Sequence, residues 1–269
     1  MDKQVADHQR IARAPKERAS GTRTVRAVSR AIAVLRAFTP ERPGISLAEA
    51  ARAAGLDKAT TRRLLRTLID EGLVRQDTVS QRYALTLGIL PIAAAVHSGG
   101  LREEARPVMT RLAHECGVTS FLSVADQQGA LCLERVHGSD PVHVRWWGVG
   151  QHMPWNCGAG PRLLLAYMCD ERVKVALRRM QALTPHSETD AARLRRHLAE
   201  VKARGWEAAV DDVAIGLSAV AVPVRGATGE VIAALSLGGL THLVLDEAGV
   251  PRALHRLAAA AAEISAALA

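Results

Sequence analysis

The sequence predicts an α+β protein in two unequal parts: an N-terminal winged helix-turn-helix, then a larger domain whose helices pack on a central antiparallel sheet. Three observations carry this. Residues 23–85 string three helical patterns and a short hairpin together, and residues 101–269 mix two further hairpins with helical stretches. The charge divides in the same way. Residues 1–85 hold 17 Lys+Arg against 9 Asp+Glu, whereas residues 86–269 hold 18 against 18, so the whole excess of +8 lies in the first third. With 269 residues, 48% of them hydrophobic, the chain can bury substantial cores, which excludes global disorder.

Residues 1–22 are polar, basic and aperiodic, and read as a flexible arm. Val28, Ala31, Ile32 and Leu35 then share one face of a first helix, which Pro40, Pro43 and Gly44 end. Ser46-Leu47-Ala48-Glu49 is a capping box opening a second helix, with Leu47, Ala50, Ala51 and Ala54 as its buried stripe. Gly55-Leu56-Asp57 breaks that helix after about two turns. A third helix spans residues 58–71, with Thr61, Leu64, Leu65, Leu68 and Ile69 on one side, and Gly72 closes it. Residues 73–75 and 82–85 form short strands around a polar tip at 77–81. A short second helix, a tight glycine-containing turn and a hairpin within about 65 residues make the winged helix-turn-helix layout.

Residues 87–98 read as a linker helix inside a connecting segment, 86–100, with the boundary at Ser98-Gly99-Gly100. In the larger domain, 101–114 is a helix exposing Arg102, Arg106 and Arg111, and 119–125 and 131–136 are paired strands. Helical stretches follow at 161–169, 171–180 and 191–204. Residues 219–224 and 231–237 flank Gly226-Ala227-Thr228-Gly229 as a second hairpin, and an Ala-rich helix from about residue 246 ends the chain.

A basic part attached to a neutral one points to a polyanion partner for the first part alone; on charge alone, a solvated basic tail remains the alternative. The third helix favours DNA. Its core face centres on Leu64 and Leu68, and Ala59, Arg63 and Arg66 fall opposite, flanked by Thr60 and Arg62. A small residue lets a helix approach the major groove, arginines fork to guanine O6 and N7, and hydroxyls hold phosphate. Lys58 and Thr61 on this helix and Ser46 at the start of the second complete the face, and Arg23, Arg26, Arg30 and the wing residue Arg82 supply phosphate contacts.

Other function classes find little support. Cys116, Cys132, Cys157 and Cys169 have neither CxxC spacing nor a disulfide framework, so reduced thiols in a cytoplasm are expected. The N-terminus lacks an apolar signal region, and the longest apolar stretch is far short of the roughly 20 residues that span a bilayer. His143, His152 and Cys157 match no metal-ligand pattern, and Gly158-Ala159-Gly160-Pro161-Arg162 lacks the Lys-Ser/Thr of a phosphate loop. Asp211-Asp212, if on a strand, point to opposite faces and cannot serve as an acid–base pair. No enzyme, metal or cofactor is expected.

The segments TVRAVSRAIAVLRAF, SLAEAARAAGLDKATTRRLLRTLIDEGLVRQ and RYALTLGIL resemble the DNA-binding half of the IclR family of regulators. The resemblance continues through ERVHG at 134–138, RGWEAAVDD at 204–212 and GLSAVAVPVRGATGEVIAALSLGG at 216–239. It implies a GAF-like sensor domain, a pseudo-palindromic DNA operator, a homodimer or dimer of dimers, and a small organic-acid or aromatic effector. Members include repressors and activators, and a repressor is expected here. By position, the resemblance assigns Ala159, Gly160, Asp212, Ala219 and Ser236 to the pocket, with Trp155 near its mouth. Asn156 and Cys157 stand where the family carries a His-Ala segment. Trp146, Trp147 and Trp155 lie within ten residues in a chain with 3% aromatics, either as an aromatic wall against a flat ligand or as packing for a loop or interface. A regulator with a degenerate pocket and a DNA coater that ignores sequence are the alternative readings.

Overall fold

The computed structural model describes residues 25–39, 42–95, 100–139 and 147–268, and contacts divide the chain into units spanning Met1–His97 and Ser98–Ala269. The first unit opens with helix α1 (Arg26–Leu35), a two-residue strand β1 (Gly44–Ile45) and helix α2 (Leu47–Ala54). Ser46 Oγ accepts from the Glu49 N–H, and Glu49 Oε2 accepts from the Ser46 N–H at 2.7 Å, the reciprocal box expected at this spacing. Gly55 ends α2 at φ 66°, a left-handed conformation that costs glycine nothing. Two residues later Asp57 caps helix α3 (Lys58–Asp70), its Oδ1 accepting from Thr60 N at 2.8 Å.

Strands β2 (Val74–Gln76) and β3 (Tyr83–Leu85) form the wing, and β1 adds to β3 with Gly44 opposite Ala84, giving the order β1-β3-β2. The sequence pattern had assigned Gly44 only to helix termination; two residues are too few to show a strand period. Val34, Phe38, Ile45, Leu65, Leu68, Val74 and Tyr83 lead the core. The buried stripe of α3 is Thr61, Leu65 and Leu68, one position off the expected centre, and Leu64 is half-buried. The described part of the linker changes helix type along its length. A 3-10 turn at Leu87–Ile89 precedes helix α4 (Leu90–Ala94), with Pro91 in its first turn, and residues 96–99 lie outside the described residues.

The second unit is a six-stranded antiparallel sheet of order β6-β5-β4-β9-β8-β7. Its strands are β4 (Thr119–Ala125), β5 (Ala130–Val136), β6 (His152–Met153), β7 (Glu207–Val210), β8 (Leu217–Arg225) and β9 (Val231–Leu240). Its helices are α5 (Leu101–Cys116), α6 (Ala159–Ala166), α7 (Asp170–Leu177), α8 (Ala191–Arg204), the short α9 (Thr241–Val244) and α10 (Leu254–Ala267). The period of two along each strand divides two cores. Leu122, Val220, Val222, Leu235 and Leu237 face α5 and α10, while Phe121, Ala221 and Ala234 face α6 and α8. The last helix starts later than its Ala-rich composition implied, because Asp246 closes a turn first, its Oδ1 accepting from Ala248 N and Val250 N. No helix among the described residues is long and apolar enough to cross a membrane.

Candidate functional site

Two sites follow, one in each unit. On α3, packing Thr61, Leu65 and Leu68 inward turns Lys58, Ala59, Arg62, Arg63 and Arg66 outward, and all five are exposed. Thr60 is half-buried beside them. Arg66 lies 3.7 Å from Asp70, both largely exposed, a pairing weak enough to give way to a phosphate or base. Arg26 is exposed in the first turn of α1; Arg23 lies outside the described residues.

Three expected members leave this face. Thr61 is fully buried and its hydroxyl donates to the Asp57 carbonyl at 2.8 Å, because the 3.6-residue period puts it on the Leu65 side. The Ser46 hydroxyl is engaged in the cap of α2. Arg82 stays exposed but is engaged: its Nη2 donates to the Gly44 carbonyl at 2.7 Å and to Glu49 Oε2 at 3.2 Å, fastening the wing to the start of α2.

In the second unit the residues expected to form the sensor site lie on the face of the sheet packed against α6. Gly160 is packed so closely that a Cβ there would stand 2.9 Å from Ser123 Oγ and 3.8 Å from both Ser236 Oγ and the Trp147 ring. The Trp147 ring stacks on Phe121 with centroids 5.7 Å apart, and its Nε1–H donates to the Gln151 carbonyl at 3.0 Å. Ala219 on β8 sits opposite Gly238 on β9, and a Cβ at Gly238 would be 3.3 Å from the Phe121 ring. Ala159, Gly160, Ala219 and Ser236 lie on this face of the sheet with Trp147, one of the three tryptophans read as an aromatic wall or as packing, and with Phe121 and Ser123, which the sequence reading had not singled out. Trp155 is half-buried against the same core. Trp146 lies outside the described residues.

Asn156, Cys157 and Asp212 spend their polar groups on hydrogen bonds within the protein. Asn156 is fully buried, and its Nδ2 donates to the Gln181 and Glu188 carbonyls while its Oδ1 accepts from Gln181 N. The amide therefore pins the 181–188 loop. The Cys157 thiol donates to the Gln181 carbonyl, and burial pushes its pKa up to about 11, so it is a neutral packing group. Asp212 accepts from Gly158 N at 2.8 Å and from Arg162 Nη1 at 2.9 Å.

Arg162, on α6, is the hub of a polar frame. Its Nε donates to Glu207 Oε1 at 2.8 Å and its Nη2 to the Ala208 carbonyl at 3.1 Å, besides the Asp212 contact. Glu207, fully buried, also meets His197 Nε2 at 2.9 Å and Arg204 Nη2 at 2.7 Å. Burial alone would raise the Glu207 pKa, but the His197 hydrogen bond and the Arg162 and Arg204 charges hold it below the usual carboxylate range. At Asp212 burial prevails over Arg162 and the Gly158 N–H, and the pKa is raised. Asp211, read as a strand residue, instead follows the end of β7 at φ 56°, with its Oδ1 accepting from Gly216 N. Among the described residues, no group of three or more His, Cys, Asp or Glu side chains is disposed to hold a metal ion.

Comparison with known proteins places both units. The sequence pattern of the bacterial transcriptional regulator IclR C-terminal domain matches residues 93–266, and that of the IclR helix-turn-helix domain matches residues 27–78. The chain is 31% identical over 211 residues to the HTH-type transcriptional regulator Rv1719 of Mycobacterium tuberculosis, covering 78% of this chain and 80% of that protein. It is 25% identical over 234 residues to the transcriptional repressor IclR of Escherichia coli, with 85% of each covered. Among solved structures, an IclR homologue from Microbacterium hydrocarbonoxydans complexed with 4-hydroxybenzoate superimposes with a TM-score of 0.78 at 25% identity, covering 90% of this chain and 98% of that one.

Proposed function

Since the chain belongs to the IclR family of transcriptional regulators, we propose that it is a sequence-specific repressor whose hold on its operator is set by a small effector. The observation that carries this reading is the outward face of α3, where Lys58, Ala59, Arg62, Arg63 and Arg66 stand free of the core that Thr61, Leu65 and Leu68 bury. Arg63 and Arg66 read base edges in the major groove, Ala59 permits the close approach, and Arg26, Lys58 and Thr60 contact phosphates. Val25 before α1, Val28 and Ile32 on it, and Leu87, Leu90 and Ile92 on the linker are exposed apolar residues, which supports a homodimer presenting two α3 helices to a pseudo-palindrome. The protein acts in the cytoplasm and catalyses no reaction.

The effector is an aromatic acid. The Phe121–Trp147 stack provides a flat apolar wall, and the Ser123 and Ser236 hydroxyls supply orienting polar groups beside Gly160. The homologue crystallised with 4-hydroxybenzoate supports the same class. One observation favours a second reading, a regulator whose pocket no longer takes a ligand. Trp147 is only 6% exposed and fills the space over Phe121 itself.

Selection of genomic fragments by the purified protein, followed by competition with scrambled DNA at physiological salt, tests the DNA reading. One enriched palindrome bound at least 10³-fold more tightly than scrambled DNA is expected. Equal binding to every fragment would reduce the protein to a nonspecific DNA coater. Titration with 4-hydroxybenzoate and related aromatic acids, followed by tryptophan quenching and operator release, separates a working pocket from a closed one. Turnover of any of these compounds without DNA would expose an enzyme.

A further inference from the structure

We propose that strand β5 couples the sensor site to α5 through two adjacent residues, Glu134 and Arg135, that point to opposite faces of the sheet. The inference rests on the sensor reading above. Arg135 is opposite Phe121 in the β4–β5 register, and its Nη1 donates to the Trp147 carbonyl at 3.2 Å. It therefore holds the backbone of the residue whose ring closes the site. Glu134 is opposite Leu122, on the face covered by α5, and only 3% exposed. One oxygen, Oε2, accepts from Arg102 Nε at 3.0 Å and from Arg106 Nη1 at 2.9 Å, both in the first two turns of α5. The other, Oε1, accepts from the backbone N–H of Arg135 at 2.9 Å. A continuous chain of contacts thus runs Trp147–Arg135–Glu134–Arg102/Arg106.

A regular strand could not seat the site face and the helix face in this way. Pairing shifts between Leu122 and Ser123, so that Ser123 faces Cys132 while Leu122 faces Glu134, and Leu133 is the extra residue. This bulge brings Cys132 to the site face and Glu134 to the helix face, and bulged strands bend and re-aim side chains. Because charge-assisted hydrogen bonds weaken steeply with distance and angle, a small shift of β5 is enough to release Arg102 and Arg106. α5 is the first helix of the sensor unit, the one nearest in sequence to the DNA-binding half. Trp147 displaced by a ligand would thus loosen the start of α5, with Glu134 and Arg135 acting as positioning residues.

Hydrogen exchange of the full chain, read by mass spectrometry at the amides of Glu104, Ala105, Arg106 and Val108, tests this without ligand or DNA. Trp147→Ala should speed exchange there about tenfold, the scale of one lost charge-assisted bond, while β8 stays protected. Arg135→Met alone should reproduce the rise, and adding Trp147→Ala to it should add nothing; Glu134→Gln should raise exchange in either background. Trp147→Phe, which keeps a ring on Phe121 but loses the Nε1 bond to Gln151, serves the same comparison if the alanine variant does not fold. A response confined to residues 147–153, or an equal increment with and without Arg135, overturns the coupling. Because neither effector nor operator enters the experiment, such a result leaves the regulator reading untouched, and a chain that binds no effector can still pass.

Discussion

Replacing Arg162 by methionine isolates the most consequential ion cluster of the sensor unit. Methionine retains much of the apolar stem but deprives Glu207 and Asp212 of their shared guanidinium, and both carboxylates are almost entirely buried. Breaking a buried pair by removing one partner costs about 3–5 kcal/mol. Glu207 keeps His197 and Arg204, so the loss falls mainly on Asp212 and on the Ala208 carbonyl. Asp212 already has a raised pKa and escapes part of the penalty by taking a proton, which puts the expected loss at the low end, about 3 kcal/mol. For a unit of this size that is a fall in melting temperature of roughly 6–12 °C. Trp146, Trp147, Trp155 and Trp206 all lie beyond residue 98, so tryptophan fluorescence reports this unit and not the DNA-binding one. The pH dependence follows from two shifts of opposite sign. Glu207, with its pKa lowered by folding, stabilises the parent above the unfolded carboxylate range, and that contribution is lost as pH falls. Asp212, raised by folding, destabilises as pH rises, and more so once Arg162 is gone. Both make the gap between parent and variant close on acidification. A melting temperature within 2 °C of the parent at pH 7, or a gap that widens in acid, would refute the assignment of Arg162 as the hub.

Three further outcomes are expected. Arg63→Ala should weaken operator binding by about 1–3 kcal/mol in a gel-shift titration, with much less effect on scrambled DNA; equal losses on both would make Arg63 a phosphate contact. Gly138→Ala puts a Cβ 2.4 Å from the Gly117 carbonyl group, a backbone clash that side chains cannot relieve, so a loss above about 3 kcal/mol is expected by chemical denaturation. Gly160→Ala meets only the rotatable Ser123 hydroxyl at 2.9 Å. It should cost under about 1.5 kcal/mol of stability yet weaken 4-hydroxybenzoate binding at least tenfold by calorimetry, and unchanged affinity would place the ligand elsewhere.

The helix-turn-helix was legible because its punctuation is local. The Ser46–Glu49 box, Gly55 and Asp57 act within four residues of themselves and survive any packing. What failed was rotation about α3. The period put Thr61 on the core side while its hydroxyl suggested the DNA face, and the Asp57 carbonyl that satisfies this hydroxyl makes its burial tolerable, with Leu64 turned partly outward. In the sensor unit the hairpins were visible in their alternation, whereas the Arg162 frame was not, since Glu207 is 45 residues away. One signal was available: Pro161-Arg162-Leu163-Leu164-Leu165 is apolar but for a single charge, and a charge on a buried helix demands a partner. Phe121 and Trp147 escaped notice as a pair because stacking depends on where a loop returns to the sheet, which no period encodes.

The described core of the DNA-binding unit contains ten buried side chains, three of them the alanines Ala37, Ala50 and Ala54, while each face of the sensor sheet buries nineteen. The two ends of the molecule therefore differ in how much heat they withstand. The smaller core is expected to open first on warming, and the half-exposed fastening of Arg82 to Gly44 and Glu49 makes the wing its weakest part. A regulator built this way would respond to temperature through its smaller unit, and a partner copy that covers Val28, Ile32 and Leu90 would extend the range over which that unit stays folded.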